Sequence, residues 1–298
     1  MRVTFTSTFR NGLRDINQAA EDLARAQREV SSLRRVQVPS DDPAAAAAIV
    51  GERSEMRVFD SYVKATDSVD SRLRVIDSAL SDVIINLTNA QTTAAASRSS
   101  FVTSEQREAY AGQLAGIRDA ILSDLSIQYR GTYVFSGTAA TVAPYEKDGA
   151  GAVQPYAGDD GRMVLDIDRG RSVEVTIDAR SFVQGDDARG LFQVFDDLIA
   201  AVRAGNDAGI AAGSAALERA FNRATDAQSR VGNDLHTLED HRARLGDMRR
   251  ATDARRSKLE DANLAEAISG MQQADAAHQA AIGAVAATSR LSLFDYLK

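Results

Sequence analysis

Large apolar side chains recur along most of this chain at alternating spacings of four and three, the mark of helices that bury a single seam. Near the N-terminus the run is Phe9, Leu13, Ile16, Ala20, Leu23, Gln27 and Val30. Near the C-terminus it is Leu264, Ile268, Met271, Asp275, His278, Ile282, Val285 and Ser289. Two matching seams at opposite ends of one chain predict a helix pair. Both are thinly hydrophobic, because alanine fills many neighbouring positions and Gln27, Asp275 and His278 interrupt them. Ordering backbone costs about 1–2 kcal/mol per residue, which helix hydrogen bonding offsets only in part. The two ends are therefore expected to be weakly folded alone and to order against other copies.

Between these ends the pattern predicts long helices. The first runs over about 4–34 and breaks at Val36–Pro43, where Pro39 and Pro43 push Val38 and Asp42 out of helical geometry. Pro43 itself suits a first helical turn, with Asp42 or Asp41 as its N-cap. No proline follows until Pro144, and Val69, Leu73, Ile76, Leu80, Val83, Leu87, Ala90 and Ala94 keep the four-three alternation of a coiled-coil seam. A helix from Pro43 to about Ser97 would be on the order of 80 Å long. Thr103 with Gln106 reads as a capping box opening a second helix whose seam is Tyr110, Leu114, Ile117, Ile121 and Leu125. The short loop between the two predicts an antiparallel hairpin.

Residues 131–190 change character, holding nine of the chain's 20 glycines together with Pro144 and Pro155. Met163, Leu165 and Ile167 alternate, a turn follows at 168–170, and Val173, Val175 and Ile177 alternate again, which predicts a β-hairpin. Tyr133–Phe135 and Val153–Tyr156 are further strand candidates. Helical spacing resumes at Leu191, Phe195, Leu198 and Val202 and stops at Gly205. Gly209 and Gly213 read as turn and helix-start chemistry in their polar context. From about Ile210 a proline-free helix carries Leu217, Phe221, Ala224, Val231, Leu235, Leu238, Leu245 and Met248.

The expected fold is mainly α with a small β insertion, an elongated out-and-back helical rod with both termini at one end and the β-rich region at the other. Its expected segments are an assembly helix at 1–38, the outgoing rod at 39–130, the β-rich insertion at 131–190, the returning rod at 191–259 and a second assembly helix at 260–298.

Three stretches carry a resemblance. The run LEDANLAEAISGMQQ from Leu259 with the closing SLFDYL, the segment VPSDDPAA from Val38, and Tyr133-Val134-Phe135-Ser136-Gly137-Thr138 are similar, in that family's order, to the flagellin superfamily. The SLFDYL ending and Ser40, Asp41, Asp42 and Pro43 resemble most its branch at the junction of hook and filament. The resemblance implies a flagellin-like fold and a structural role in the bacterial flagellum, with self-assembly into a ring through the terminal helices. Implied partners are hook-associated protein 1, flagellin and an export chaperone on the C-terminal helix. It also implies export through the flagellar type III channel without a cleaved signal, and a final place outside the cell. The expected assembly interface comprises Leu13, Ile16, Leu23, Val30, Leu264, Ile268, Met271, Ile282, Val285, Leu291, Leu293 and Phe294. Flagellin itself, or a helical-bundle binding module outside the flagellum, are the alternatives.

Composition narrows the chemistry. The net charge of -7 argues against nucleic acid as the main partner, and the arginines between Arg242 and Arg256 are interleaved with Asp247 and Asp253 as on a solvated helix face. No stretch approaches the length of a membrane span. Cysteine is absent, so thiol and disulfide chemistry drop out. His236 and His241 are five apart rather than the four that aligns two ligands on a helix, no third histidine lies nearby to complete a site, and a surface helix position is the reading for both. Asp159-Asp160-Gly161 and Asp186-Asp187 read as turns rather than calcium loops. Gly149-Ala150-Gly151 lacks a dinucleotide fingerprint. No metal, cofactor or catalytic residue is expected, and an enzyme is the reading with least support.

Overall fold

The computed structural model describes residues 5–99, 101–149, 151–168 and 170–296, and in the two terminal helices the side chains from 9 to 287. Its elements in order are α1 (Phe5–Ser32), α2 (Pro43–Ser97), α3 (Ser104–Leu125), β1 (Gln128–Tyr129), β2 (Thr132–Tyr133), β3 (Val164–Asp168), β4 (Arg171–Glu174), α4 (Ala179–Val183), α5 (Leu191–Ala204), α6 (Asp207–Glu260) and α7 (Leu264–Tyr296). The chain is predominantly helical, with two small two-stranded sheets. It divides into two compact units, one of residues 1–59 with 247–298 and the other of residues 60–246.

In the unit of residues 60–246 the seam of α2 is buried over its whole predicted length, from Val69 to Ala94, with every member at 2% exposure or less. Opposite it run Leu217, Ala224, Val231 and Leu238 of α6, also buried. Arg98 pairs with Asp207 at one end of this unit and Arg242 with Asp67 at the other, so α6 runs antiparallel to α2. Asn86 donates to Asp124 at 2.9 Å, a contact possible only if α3 folds back along α2. Thr103 and Gln106 form the capping box that starts α3. Antiparallel to α3 lies α5, tied by Arg203 to Glu108 and by Arg118 to Asp196. Gly205 closes α5 in the left-handed region, φ 63°, as C-terminal glycines do.

Two small hairpins form in the β region, and only the second, β3 with β4, is expected from the sequence. Arg130 and Gly131, with φ of 53° and 79°, make the tight connection between β1 and β2 that two successive positive φ angles permit. In the second hairpin Leu165 pairs with Val173 and Val164 with Glu174, with an irregularity near Asp168. Arg72 of α2 fastens both sheets. Its guanidinium donates to Val175 O at 2.7 Å, Thr132 Oγ1 at 3.2 Å and Tyr133 O at 3.4 Å. Partial burial pushes it below its ordinary pKa.

Four expectations need correction. Of the other strand candidates, Thr132–Tyr133 is a two-residue strand and Val153 makes only an isolated bridge with Lys147. The Val153–Tyr156 stretch is held by a backbone bond from Gln154 N to Glu146 O at 2.8 Å and by Tyr156 Oη, which donates to Phe135 O at 3.0 Å. His241 is not a surface residue. It is 1% exposed, and its Nε2 lies 3.0 Å from Ile167 O, beneath the hairpin. Gly209 and Gly213 do begin α6, with Asn206 Oδ1 accepting from Gly209 N, but both are also close-packing positions. A Cβ on Gly213 would lie 2.9 Å from Leu198 Cδ1, and one on Gly209 2.9 Å from Ala201 Cβ. Met248, placed in the α6 seam, is 39% exposed.

The stretch Tyr133–Thr138 is a folding element. Val134, Phe135 and Ser136 are fully buried, and Phe135 meets Phe182 edge-on with ring centroids 5.7 Å apart. Gly137 takes φ 66° directly against the Asp159 backbone, where a side chain would meet both a steric and a conformational barrier. Asp159 then accepts from Thr138 N and Thr138 Oγ1, bonds that hold its carboxyl below the ordinary value.

Candidate functional site

The terminal unit holds the candidate site, which consists of the pair α1 and α7 and the joint beneath it. The helices are antiparallel. Gly12 meets Val285 toward one end of the pair, and Arg34 bridges Asp261 at the other.

The expected interface residues divide between two faces of this pair. On α1 the covered positions include Gly12, Ile16, Ala19, Leu23, Ala26 and Val30, and on α7 Ala267, Met271, Ala274, His278, Ala281 and Val285. Large side chains alternate with small ones in both. At Gly12 a Cβ would come within 2.6 Å of Val285 Cγ2, so glycine there allows the helices to approach. The rest of the large apolar set lies elsewhere. Phe9 and Leu13 are each 43% exposed, Leu264 49%, Ile268 38% and Ile282 46%. Every one of these five stands three residues before an inward position. In an antiparallel pair the same offset on both helices puts them on one face. That face is an apolar stripe that stays 38–49% exposed in the single chain.

Of the expected interface residues, then, Ile16, Leu23, Val30, Met271 and Val285 face the partner helix, while Leu13, Leu264, Ile268 and Ile282 face outward. Leu291, Leu293 and Phe294 lie outside the described side chains. Four-three spacing alone predicts one seam per helix and does not separate the inner face from the outer. The glycine and alanines that complement the large residues were the missed signal.

Ser40, Asp41, Asp42 and Pro43 build the joint. Asp41 Oδ2 accepts from Gln37 N and Val38 N, each at 3.0 Å, closing the turn. Asp42 Oδ1 caps α2 by accepting from Ala45 N at 2.9 Å, and its other oxygen faces Arg35. Bonds from Val38 N and then Gln37 N hold the Asp41 carboxyl below its ordinary value, and those from Ala45 N and then Arg35 do the same for Asp42. Val36, Ala45 and Ile49 form a small buried cluster with Leu259 against it. Backbone bonds tie the two connectors, from Arg35 N to Glu260 O at 2.8 Å and from Ala262 N to Leu33 O at 3.0 Å. Glu260, 2% exposed, lies among Arg34, Arg53 and Arg256.

Among the described residues, the open grooves in the other unit include two. One, of about 720 Å³, runs between α5 and α6 over alanines and glycines. The other is lined by charged groups, among which Asp187 accepts from both Arg219 and Arg223. Among the described residues no group of three potential metal ligands occurs, and no helix is long and apolar enough to cross a membrane.

Comparison with known proteins finds flagellar relatives. Residues 8–140 fit the bacterial flagellin N-terminal helical region, which takes in most of α1, the joint, α2, α3 and the Tyr133–Thr138 stretch. Over the full length of both chains the sequence is 23% identical to flagellar hook-associated protein 3 of Escherichia coli. Flagellar hook-associated protein 3 of Legionella pneumophila superposes with a TM-score of 0.63 at 13% identity, covering 71% of this chain and 98% of that one. FlgL of Xanthomonas campestris does so with a TM-score of 0.61 at 15% identity, covering 69% and 99%.

Proposed function

We propose that this chain, a flagellin-type structural component of the flagellum, is the adaptor that joins the hook to the filament. The observation that carries the proposal is the exposed apolar stripe on the α1 and α7 pair, in a chain similar from end to end to hook-associated protein 3. An unburied face with Phe9, Leu13, Leu264, Ile268 and Ile282 is what a subunit needs if its neighbours complete its core. Copies of the chain assemble through this pair, with residues 1–38 and 260–298 as the assembly segments, 39–130 and 191–259 as the supporting rod and 131–190 as the β-rich insertion. Hook-associated protein 1 meets the ring on one side and flagellin on the other. Before assembly the same stripe needs cover, and an export chaperone binding the C-terminal helix supplies it during passage through the type III channel. The work is mechanical, and no catalytic step is assigned.

The match of residues 8–140 to the flagellin N-terminal region also favours a second reading, a filament subunit. Quantifying the chain in sheared filaments separates the two. An adaptor is expected at trace level, far below the main filament protein, whereas abundance equal to that protein would make it flagellin.

A further inference from the structure

We propose that the two connectors beneath the terminal helix pair form a spring-loaded latch, in which Glu260 holds shut a conformation against which Leu33 is strained. Two unrelated features point to it. Leu33 follows the last residue of α1 with φ 57°, in the left-handed region where an L side chain crowds its own backbone and where helices ordinarily place glycine. It is 52% exposed, so burial of its side chain does not account for the conformation.

Glu260 is the second feature. It is the last residue of α6, where a negative charge faces the negative end of the helix dipole, and it is almost fully buried. Arg53 donates to its Oε1 at 2.6 Å, Arg34 lies 3.0 Å from the same oxygen, and Arg256 Nε is 3.7 Å from Oε2, which has no hydrogen bond. Its backbone carbonyl accepts from Arg35 N and, at 3.4 Å, from Val36 N. One residue thus pins the connector that leaves α1 to the end of α6, by charge and by backbone at once.

With Glu260 engaged, the chain turns sharply at Leu33, whose carbonyl accepts from Ala262 N. With Glu260 released, Leu33 can return to the right-handed region and lengthen α1. Seam contacts such as Gly12 on Val285 do not involve the connectors, so α1 and α7 remain a pair while their attachment changes. The use of such a latch rests on the adaptor reading, since a subunit between two differently packed structures needs terminal helices with more than one attachment. Its existence does not.

Amide exchange on the dilute full-length chain tests it. Glu260→Gln is expected to speed exchange at Arg35, Val36 and Ala262 by about tenfold or more, while Leu114 in α3 and Phe195 in α5 keep their rates. Leu33→Gly removes the strain and is expected to slow the same three amides about fivefold, and to offset Glu260→Gln when the two are combined. Unchanged rates at the three amides in Glu260→Gln, acceleration spread evenly through the chain, or faster exchange in Leu33→Gly would each overturn the latch. None of these results bears on the abundance of the chain in filaments, so the latch and the adaptor reading fail separately.

Discussion

A chain carrying Leu13→Asp, Leu264→Asp and Ile282→Asp together is expected to fold as the parent does and to fail in assembly altogether. All three side chains are between 43% and 49% exposed, and substitutions at such positions ordinarily change stability by about 0.5 kcal/mol or less. Leu264 opens α7, where an aspartate even suits the positive end of the helix dipole. Between copies the balance reverses. Each lost side chain forfeits about 1.5–3 kcal/mol of burial in a completed interface, and each new carboxylate would have to be desolvated without a partner. Three such changes on one face exceed what a repeated contact tolerates. Cells producing the variant should be non-motile on soft agar, while the purified protein melts within a few degrees of the parent. Normal swimming would mean that neighbours contact some other surface.

Phe135→Ala is the substitution expected to cost most within the chain. The ring is completely buried, packs edge-on against Phe182, and sits between two backbone anchors, since Phe135 O accepts from both Tyr156 Oη and Ala179 N. Truncating a buried phenylalanine costs about 3–5 kcal/mol, a large part of the about 5–15 kcal/mol that holds a domain together. Tryptophan is absent, so the urea transition should be followed by tyrosine fluorescence, to which Tyr145 and Tyr156 near this core contribute. A midpoint shifted by less than the equivalent of about 1 kcal/mol would show that the β-rich insertion does not depend on this ring.

Local chemistry made much of this fold legible in the sequence. Pro43 with Asp42, Thr103 with Gln106, and Gly205 each act within a few residues of themselves, so start and stop signals located three helices closely. The α2 seam from Val69 to Ala94 was legible because one face of a long helix meets the same kind of neighbour throughout. Residues whose environment is supplied from far along the chain were misread. His241 is buried only because the hairpin around Ile167 folds over it, and Gly213 packs closely only because Leu198 of another helix arrives there. The α4 helix, of five residues, is too short to show a period. It is set by Asp178 accepting from Arg180 N.

At the candidate site the same distinction holds. The turn through Asp41 and Asp42 could be anticipated from the aspartates and prolines alone. The split of the terminal apolar residues into an inner and an outer face could not, because Ile16 and Leu13 differ only in which flank receives the partner helix. Small residues decide that, with Gly12, Ala19 and Ala26 matched by Ala267, Ala274 and Ala281. A pair held at a small-residue seam spends few of its large side chains internally and leaves the others for neighbouring copies.

The adaptor role is tested most directly by electron micrographs of cells from which this chain alone has been deleted. Intact hooks without filaments, with filament protein accumulating in the medium, are the predicted result, and filaments of normal number and length still seated on those hooks would contradict it.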